Sequence, residues 1–332
     1  MKREQWHEVL QSHLRQWNEN IRPERLNEEI VQKAVEANPW FTPFFIRKNL
    51  GHIGTWLRPE KVQAFLKKYP TVEGKPKRVG VIAAGNLPLV GFHDIWITLL
   101  AGHQLYLKCS RQDRILLNWI RQQWVAVAPA LADQWKMVDH LPPIDALLAT
   151  GSNNTARYFE QTYQGVPRLI RKNRYSVAFL DHTVSEDQMH KLCEDVLLYN
   201  GLGCRNVSNM AVAGEEAFDK WGKILNSYNP KWLNPLYLER VLYVKAVKDF
   251  VGEKVSPNKY LLLEERKSFG NPSMGILQWV RVKGKDEFES LVASHREDIQ
   301  CVVGTEVAYG QAQYPSLEDF ADQMDSMMFL ST

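Results

Sequence analysis

The sequence predicts an α/β protein built on parallel sheets. Short apolar runs that end in turns alternate along the chain with amphipathic segments of helical period. The clearest runs are Val79–Ala84, Gln104–Cys109, Asp145–Thr150 and Tyr175–Leu180. Strands that alternate with helices form parallel sheets with right-handed crossovers, and ligands bind outside the carboxyl ends of such strands.

Composition narrows the class of protein. The chain has 332 residues, enough for about two domains with large cores. Its formal net charge is only +3 and its basic residues are dispersed, so we do not expect a nucleic-acid binder. No run approaches the ~20 apolar residues of a membrane span. The first residues lack the apolar core of a signal peptide, and we therefore expect a cytoplasmic protein.

The four cysteines indicate neither a disulfide framework nor a metal site. Cys109, Cys193, Cys204 and Cys301 lie far apart, and none has metal-ligand spacing with a histidine. This usage is typical of a reducing compartment.

The first half of the chain places polar residues at strand ends. Residues 1–69 have a helical period, and residues 70–77 form a polar linker. Pro88 suits the first turn of a helix that ends at Leu100. The G-x-G-x-x-G fingerprint is absent, which argues against an ordinary Rossmann dinucleotide site. The polar residues at the three strand ends are Asn86, Lys108 with Ser110, and Gly151 with Ser152.

The second half contains a cysteine at the tip of a glycine turn. Within residues 199–206, Gly201 and Gly203 precede Cys204. Such a turn presents a thiol at the surface, and a nearby cation such as Arg205 favours the thiolate, the strongest nucleophile among ordinary side chains. The alternative from these residues alone is a buried cysteine that packs as a small apolar group.

Further elements complete the second half. Ser185 begins a capping box and an amphipathic helix whose core face includes Cys193. We also predict strands near Leu242–Val244, at Met274–Val282 and at Ile299–Val303, and helices at Asp286–Ser294 and from Ser316 to the end.

Five segments resemble motifs of the aldehyde dehydrogenase superfamily, in the same order. Residues 78–88 resemble its P-V-G-V…W-N-F-P strand and turn, and residues 100–110 resemble L-A-A-G-N-x-V-V-x-K-P-S. Residues 150–153 resemble the F-T-G-S turn, and residues 201–204 resemble the G-Q-x-C motif of the nucleophilic cysteine. Residues 264–272 resemble a lengthened E-E-x-F-G-P motif.

The resemblance implies the architecture of that superfamily. Two Rossmann-related parallel-sheet domains would follow an N-terminal helical segment. Residues 1–171 would hold the helices and the nucleotide-binding domain, residues 172–315 the catalytic domain, and residues 316–332 a helical tail.

Two departures from the family indicate one branch. The chain is shorter than an ordinary member at both ends and lacks the oligomerisation hairpin before the first strand. Where hydrolytic members have the general-base glutamate of E-L-G-G-K-S, residues 171–176 are Arg-Lys-Asn-Arg-Tyr-Ser. That glutamate activates the water that hydrolyses the acyl-enzyme, so its absence disfavours oxidation to an acid. Among branches without it, the chain is most similar to the acyl-CoA reductases related to the fatty-acid reductase of bacterial bioluminescence.

The resemblance implies reduction of an acyl-CoA to an aldehyde. Cys204 would attack the thioester, and the Asn86 side chain with the Cys204 backbone N–H would hold the oxyanion. Hydride from a nicotinamide would then reduce the acyl-cysteine in a site that excludes water. Asn86 could instead serve only its own turn, since asparagine is a frequent turn residue.

The resemblance also implies a nucleotide site. Lys108 would lie at the adenosine ribose, and Arg111 would suit the 2′-phosphate of NADPH, with NADH as the alternative. Gly151 and Ser152 would face the pyrophosphate. The full set of implied cofactor positions is Lys108, Ser110, Arg111, Gly151, Ser152 and Glu265, the last at the nicotinamide ribose.

Two other functions fit the sequence. The chain could reduce an acyl phosphate, as glutamyl-phosphate reductases do, or it could be a non-catalytic protein that binds an acyl carrier protein or a second enzyme. Absence of the hairpin argues against the usual tetramer of the family and leaves a homodimer as the alternative. Neither the acyl chain length nor its carrier follows from the sequence.

Overall fold

The computed structural model describes residues 2–69 and 75–332. The first five residues of the predicted linker, 70–74, lie outside the described residues. The chain divides into two compact units, which we describe separately. The first unit contains the residues up to Lys172 together with Ser316–Thr332, and the second contains Asn173–Pro315.

The first unit begins with helices, as the sequence predicts. They are α1 (Arg3–Asn20), α2 (Glu28–Ala37), α3 (Pro43–Trp56) and α4 (Pro59–Leu66). Side-chain caps begin two of these helices: Asn27 accepts the Ile30 backbone N–H, and Thr42 accepts that of Phe45.

A five-stranded parallel sheet forms the rest of the first unit. The sheet begins with β1 (Arg78–Ala83) and β2 (Gln104–Cys109), and the helix α5 (Phe92–Leu100) connects these two strands. The remaining elements are α6 (Arg114–Val127), α7 (Leu131–Gln134), β3 (Trp135–Met137), β4 (Ala146–Thr150), α8 (Asn153–Thr162) and β5 (Arg168–Arg171). The strand order is β3-β2-β1-β4-β5. The chain therefore adds strands on one side of β1 first and then on the other side, beginning with β4, although all the strands are parallel. Ligands of open α/β sheets bind at such a switch point.

Two details of the first unit differ from the prediction. The helix after β1 begins at Phe92 instead of Pro88, because Leu89 takes a left-handed conformation with φ of 57° that no α-helix accommodates. The strands β3 and β5, which have only three and four residues, are also absent from the prediction. Strands this short carry too little alternation to stand out.

The second unit contains a six-stranded sheet. Its elements are β6 (Tyr175–Asp181), α9 (Glu186–Leu197), β7 (Val207–Ala213), α10 (Glu215–Ser227), α11 (Pro235–Phe250), β8 (Ser256–Pro257), β9 (Leu262–Glu265), β10 (Ile276–Arg281), α12 (Lys285–Ser294) and β11 (Ile299–Val303). The strand order is β11-β6-β7-β10-β9-β8, and every pair is parallel except β8 with β9.

Two predictions in the second half of the chain are wrong. Leu242–Val244 lies inside α11, a helix that Asn234 caps and Pro235 begins, and its apolar residues mimic a strand only over a short window. The tail from Ser316 is not one helix either, because Asp322 and Gln323 take left-handed conformations. Only α13 (Ser326–Ser331) is α-helical there, and the Asp325 side chain accepts the Met328 N–H to cap it.

Among the residues that the structure describes, none of the helices has both the length and the apolar character of a membrane span.

A buried histidine of the first unit connects the start of its sheet to the C-terminal helix α13. The His103 Nδ1 accepts the Lys77 backbone N–H at 3.0 Å, and its Nε2 lies 2.9 Å from the Leu330 carbonyl oxygen. One ring nitrogen accepts and the other donates, so this arrangement requires the neutral imidazole. Burial lowers the pKa of His103 to about 4, although the Leu330 contact opposes the shift.

Stability should therefore fall as His103 becomes protonated. A depressed pKa contributes stability that is complete above the ordinary value of 6.5 and is lost as the pH falls to about 4, a contribution of about 3 kcal/mol. Urea unfolding followed by circular dichroism should show a shallower pH dependence over this window for His103→Gln than for wild type. The exposed His140→Gln is the matched control, and an unchanged slope in His103→Gln would contradict the assignment.

Candidate active site

The cysteine turn of the second unit joins α9 to β7 through strained backbone. Tyr199, Asn200 and Gly201 take left-handed conformations in succession, with φ of 53°, 58° and 65°. For residues other than glycine this conformation costs roughly 1–2 kcal/mol each. Strain of this kind persists only where the surroundings impose it, and it is concentrated at functional sites.

One buried side chain, Asn206, imposes the shape of this turn. Its Nδ2 lies 2.7 Å from the Leu198 carbonyl oxygen and within 3.3 Å of two more carbonyls at the end of α9, those of Asp195 and Val196. Its Oδ1 accepts the Gly203 backbone N–H at 2.9 Å. The amide therefore supplies donors to helix-end carbonyls that have no partner within the helix, and at the same time it holds the start of the turn.

Cys204 lies at the exposed tip of this turn. The Asn206 backbone N–H donates to the Gly203 carbonyl at 3.0 Å, which places Cys204 and Arg205 in the two central positions of a β-turn. The Ser176 hydroxyl donates to the Cys204 carbonyl at 2.8 Å and fixes the turn to β6. Cys204 is therefore exposed, and the alternative of a buried cysteine does not apply.

The other three cysteines have environments that disfavour the thiolate. Cys193 is fully buried on the core face of α9, as predicted, and burial raises its pKa to about 12. Burial also raises the pKa of Cys301, which lies 3.0 Å from the Ser176 hydroxyl, and raises that of the half-buried Cys109 to about 11. None of the four cysteines forms a disulfide.

The helix α9, which leads into this turn, contains a buried carboxylate, that of Asp195. The Asp195 carboxylate accepts the backbone N–H groups of Gly310 and Ala312 at 2.6 and 3.1 Å. Burial raises the pKa of Asp195 to about 7, and these two hydrogen bonds limit the rise. Sequence reasoning missed Asp195, Ser176 and Asn206, because each acts through a contact distant in the chain or through backbone groups that no motif records.

Six predicted positions of the first unit lie at one edge of its sheet. The strands β2, β1 and β4 are neighbours and parallel, so their carboxyl ends meet. The residues at these ends are Asn86 after β1, Lys108, Ser110 and Arg111 at β2, and Gly151 and Ser152 at β4.

The loops at this edge are closely packed. A Cβ on Gly85 would lie 2.5 Å from the Ser110 Cβ, so only glycine fits beside the loop after β2. The Asn38 side chain donates to the Gly85 carbonyl at 3.0 Å, and the neighbouring Asn86 is exposed. Ser152 begins α8 and accepts the Thr155 N–H, so the N-terminus of a helix lies at this edge.

The two glutamates of the lengthened motif have different surroundings. Glu265, at the end of β9 in the second unit, is exposed and forms an ion pair with Arg281 at 2.7 Å. Glu264 is buried, and its carboxylate binds Lys248 and Gln278 at 2.8 Å and Arg266 at 2.9 Å. Glu264 is thus a structural residue of the second unit.

Arg171, the first residue of the segment that we compared with the hydrolytic glutamate motif, has a structural environment in the first unit. Its buried guanidinium forms an ion pair with Asp94, and its Nε donates to the Ala321 carbonyl at 3.2 Å. A guanidinium stays protonated in proteins and cannot act as a general base. Among the described residues there is no group of three or more acidic, histidine or cysteine side chains arranged to hold a metal ion.

We compared the sequence and the fold of the chain with those of known proteins. No protein-family model matches the sequence, and neither does any curated protein. Solved structures match over most of the chain. A protein assigned to the aldehyde dehydrogenases from Burkholderia cenocepacia is 15% identical with a TM-score of 0.70, covering 94% of this chain and 76% of its own.

Two acylating or CoA-bound relatives match as well. The acetylating aldehyde dehydrogenase of Geobacillus thermoglucosidasius is 12% identical with a TM-score of 0.63, covering 96% of this chain and 86% of its own. The propionaldehyde dehydrogenase of Rhodopseudomonas palustris, with bound propionyl-CoA, is 14% identical with a TM-score of 0.57, covering 91% and 77%. The chain has the aldehyde dehydrogenase fold. At these identities the likeness establishes the fold, which confirms the predicted α/β fold class with parallel sheets and an N-terminal helical segment.

Cys204 should be the first cysteine of the folded protein to react with iodoacetamide. It is exposed on its turn, whereas burial keeps Cys193 and Cys301 protonated and inaccessible. Peptide mapping after brief alkylation should find the label on Cys204, and Cys204→Ser should remove the fast phase while Cys109→Ser retains it. Equal labelling of Cys301 in the native protein would contradict this order.

Proposed function

We propose that this protein reduces an acyl thioester, in the first place an acyl-CoA, to an aldehyde with NAD(P)H through an acyl-Cys204 intermediate. The observation that carries the proposal is the exposed Cys204. It lies on a strained turn that the hydrogen bonds of Asn206 hold in place, in a chain with the aldehyde dehydrogenase fold. A structure of the Rhodopseudomonas palustris protein contains CoA and an acylated cysteine, so this chemistry occurs on the fold.

The reaction has two steps. The Cys204 thiolate attacks the acyl carbonyl, the carbon–sulfur bond to CoA breaks, and the CoA thiolate leaves with a proton from solvent. Hydride transfer to the acyl-cysteine gives a hemithioacetal anion, which expels the Cys204 thiolate and releases the aldehyde. In both steps negative charge develops on the former carbonyl oxygen. The proposed donors to that oxygen are the Cys204 backbone N–H and the Asn86 side chain, and the loss of one such donor costs roughly 10²–10³ in rate.

The replacement of the hydrolytic glutamate favours reduction over hydrolysis. Arg171 occupies the corresponding position of the motif, and its guanidinium is already paired with Asp94. Without a general base to activate water, the acyl-cysteine persists long enough to accept a hydride. This supports a reductase over an enzyme that releases a free acid.

The nucleotide site is proposed at the edge of the first sheet. The edge fits a dinucleotide, because Gly151 and Ser152 lead into the N-terminus of α8, where the helix dipole favours a pyrophosphate. Lys108 and Ser110 are proposed at the ribose, and Glu265 at the nicotinamide ribose. Bound NADPH or NADH supplies the hydride. The exposed Arg111 favours NADPH, since a guanidinium matches the geometry of a 2′-phosphate.

Acyl loading is the direct test of the proposed function. Intact mass should show one acyl adduct after incubation with a panel of acyl-CoAs, and the preferred chain would define the substrate class. Cys204→Ala should show no adduct, and Cys109→Ala should load like wild type. Subsequent addition of NADPH should remove the adduct as aldehyde. If no acyl-CoA loads wild type while acyl phosphates do, the proposed donor is wrong, and loading by neither would overturn the reductase assignment.

Arg111→Ala should lower the preference for NADPH. Loss of a charge-assisted contact worth about 1.5–3 kcal/mol raises the KM for NADPH roughly tenfold or more and leaves that for NADH nearly unchanged. Steady-state kinetics with both cofactors test this, with the exposed Arg25→Ala as the control. Equal changes with both cofactors would place Arg111 away from the 2′-position.

A further inference from the structure

Helix α11 of the second unit carries an apolar surface that faces solvent. Phe250 is 91% exposed, Leu242 is 67% exposed and Tyr243 is 60% exposed. Other exposed large apolar residues of the described chain are scattered, but this segment contains six of them: Leu238, Leu242, Tyr243, Val247, Phe250 and Val251. A contiguous exposed apolar cluster of this kind marks an interaction surface.

The periodicity of α11 separates an inner and an outer face. Tyr237, Val241 and Val244 are buried and define the inner face. At about 100° per residue, Leu242 and Phe250 fall on the opposite side, with the small Ala246 between them. A helix normally buries one apolar stripe and presents polar residues on the opposite side, so a second apolar face on α11 is best explained by a partner that covers it.

We propose that the cover is α11 of a second copy of this chain, packed antiparallel across a two-fold axis. The charged residues around the outer face are the exposed Glu239, Arg240 and Asp249 and the half-buried Lys245, two of each sign. This balance offers no net attraction to an acidic carrier protein or to a basic partner. A second copy needs no net attraction, because a two-fold interface is complementary to itself.

One flank of the outer face has this self-complementary pattern. Lys245 and Asp249 lie one helical turn apart and form an ion pair at 2.6 Å. In an antiparallel two-fold pair the same flanks meet with the residue order reversed. Lys245 of one copy then lies opposite Asp249 of the other, and the two ion pairs become one network of four charges.

The apolar part of the face suits close helix packing. Ala246 lies at the centre of the outer face, where a small side chain lets two helix axes approach. Around it, Leu242, Tyr243 and Phe250 provide the large side chains that fill such a contact. Aromatic rings bury about 150–250 Å² each, so the rings of two copies form an apolar centre suited to an interface of standard size.

Sedimentation of the full chain tests the dimer. Over about 1–100 μM, wild type should sediment with a mass of twice the 38.4 kDa of one chain and dissociate on dilution. The double variant Leu242→Asp with Phe250→Asp should sediment as a monomer. The control Tyr158→Asp changes an exposed aromatic residue of the first unit and should remain a dimer. Unchanged circular dichroism shows that each variant is folded.

Charge reversal tests the antiparallel two-fold arrangement itself. Lys245→Asp alone should raise the dimer Kd about tenfold, because two attractive contacts become repulsive. Asp249→Lys alone should act in the same way, whereas the double variant Lys245→Asp with Asp249→Lys should return the Kd to near the wild-type value. A monomeric wild type, a dimer that survives the Leu242 and Phe250 changes, or a double reversal no better than the single ones would each overturn the proposal.

Discussion

The buried amide of Asn206 is the contact on which the candidate active site depends. It binds carbonyls at the end of α9 and the backbone of Gly203, so one side chain connects the helix, the turn and the start of β7. Each buried polar group left without a partner costs about 1–3 kcal/mol. The alternatives to the observed turn would leave several such groups unpaired, and this is why the turn that presents Cys204 has one shape.

The strain in this turn is offset by burial of the strained residues themselves. Tyr199 and Asn200 are buried, and the Asn200 Oδ1 accepts the Asn234 backbone N–H at 3.1 Å, which connects the turn to the segment that begins α11. Left-handed backbone at two consecutive residues other than glycine therefore persists because the surrounding contacts exceed its cost. Asp195 adds a second connection, from α9 to residues 310–312.

In the first unit, the residues with structural roles are buried, whereas the positions that we expect to bind a ligand are exposed. Arg171 and Asp94 form a buried ion pair, and breaking such a pair by removing one partner leaves an uncompensated charge that costs about 3–5 kcal/mol. Arg171 is thus part of the core of the first unit. The sheet edge with Asn86 and Arg111 stays exposed, as a ligand site requires.

The sequence by itself determined the alternation of strands and helices, the helical start, and the glycine turn that contains Cys204. These features depend on local periodicity, on turn chemistry and on helix caps such as Ser185, all of which are recorded in neighbouring residues. It misjudged Leu242–Val244 because a short apolar window does not distinguish a strand from a helix that is apolar on two faces. Tertiary structure alone decided that Asn206, Ser176 and Asp195 hold the cysteine turn and that Glu264 is structural. Their partners lie far away in the chain or are backbone groups, and a buried polar residue reveals its role only through the atoms that satisfy it.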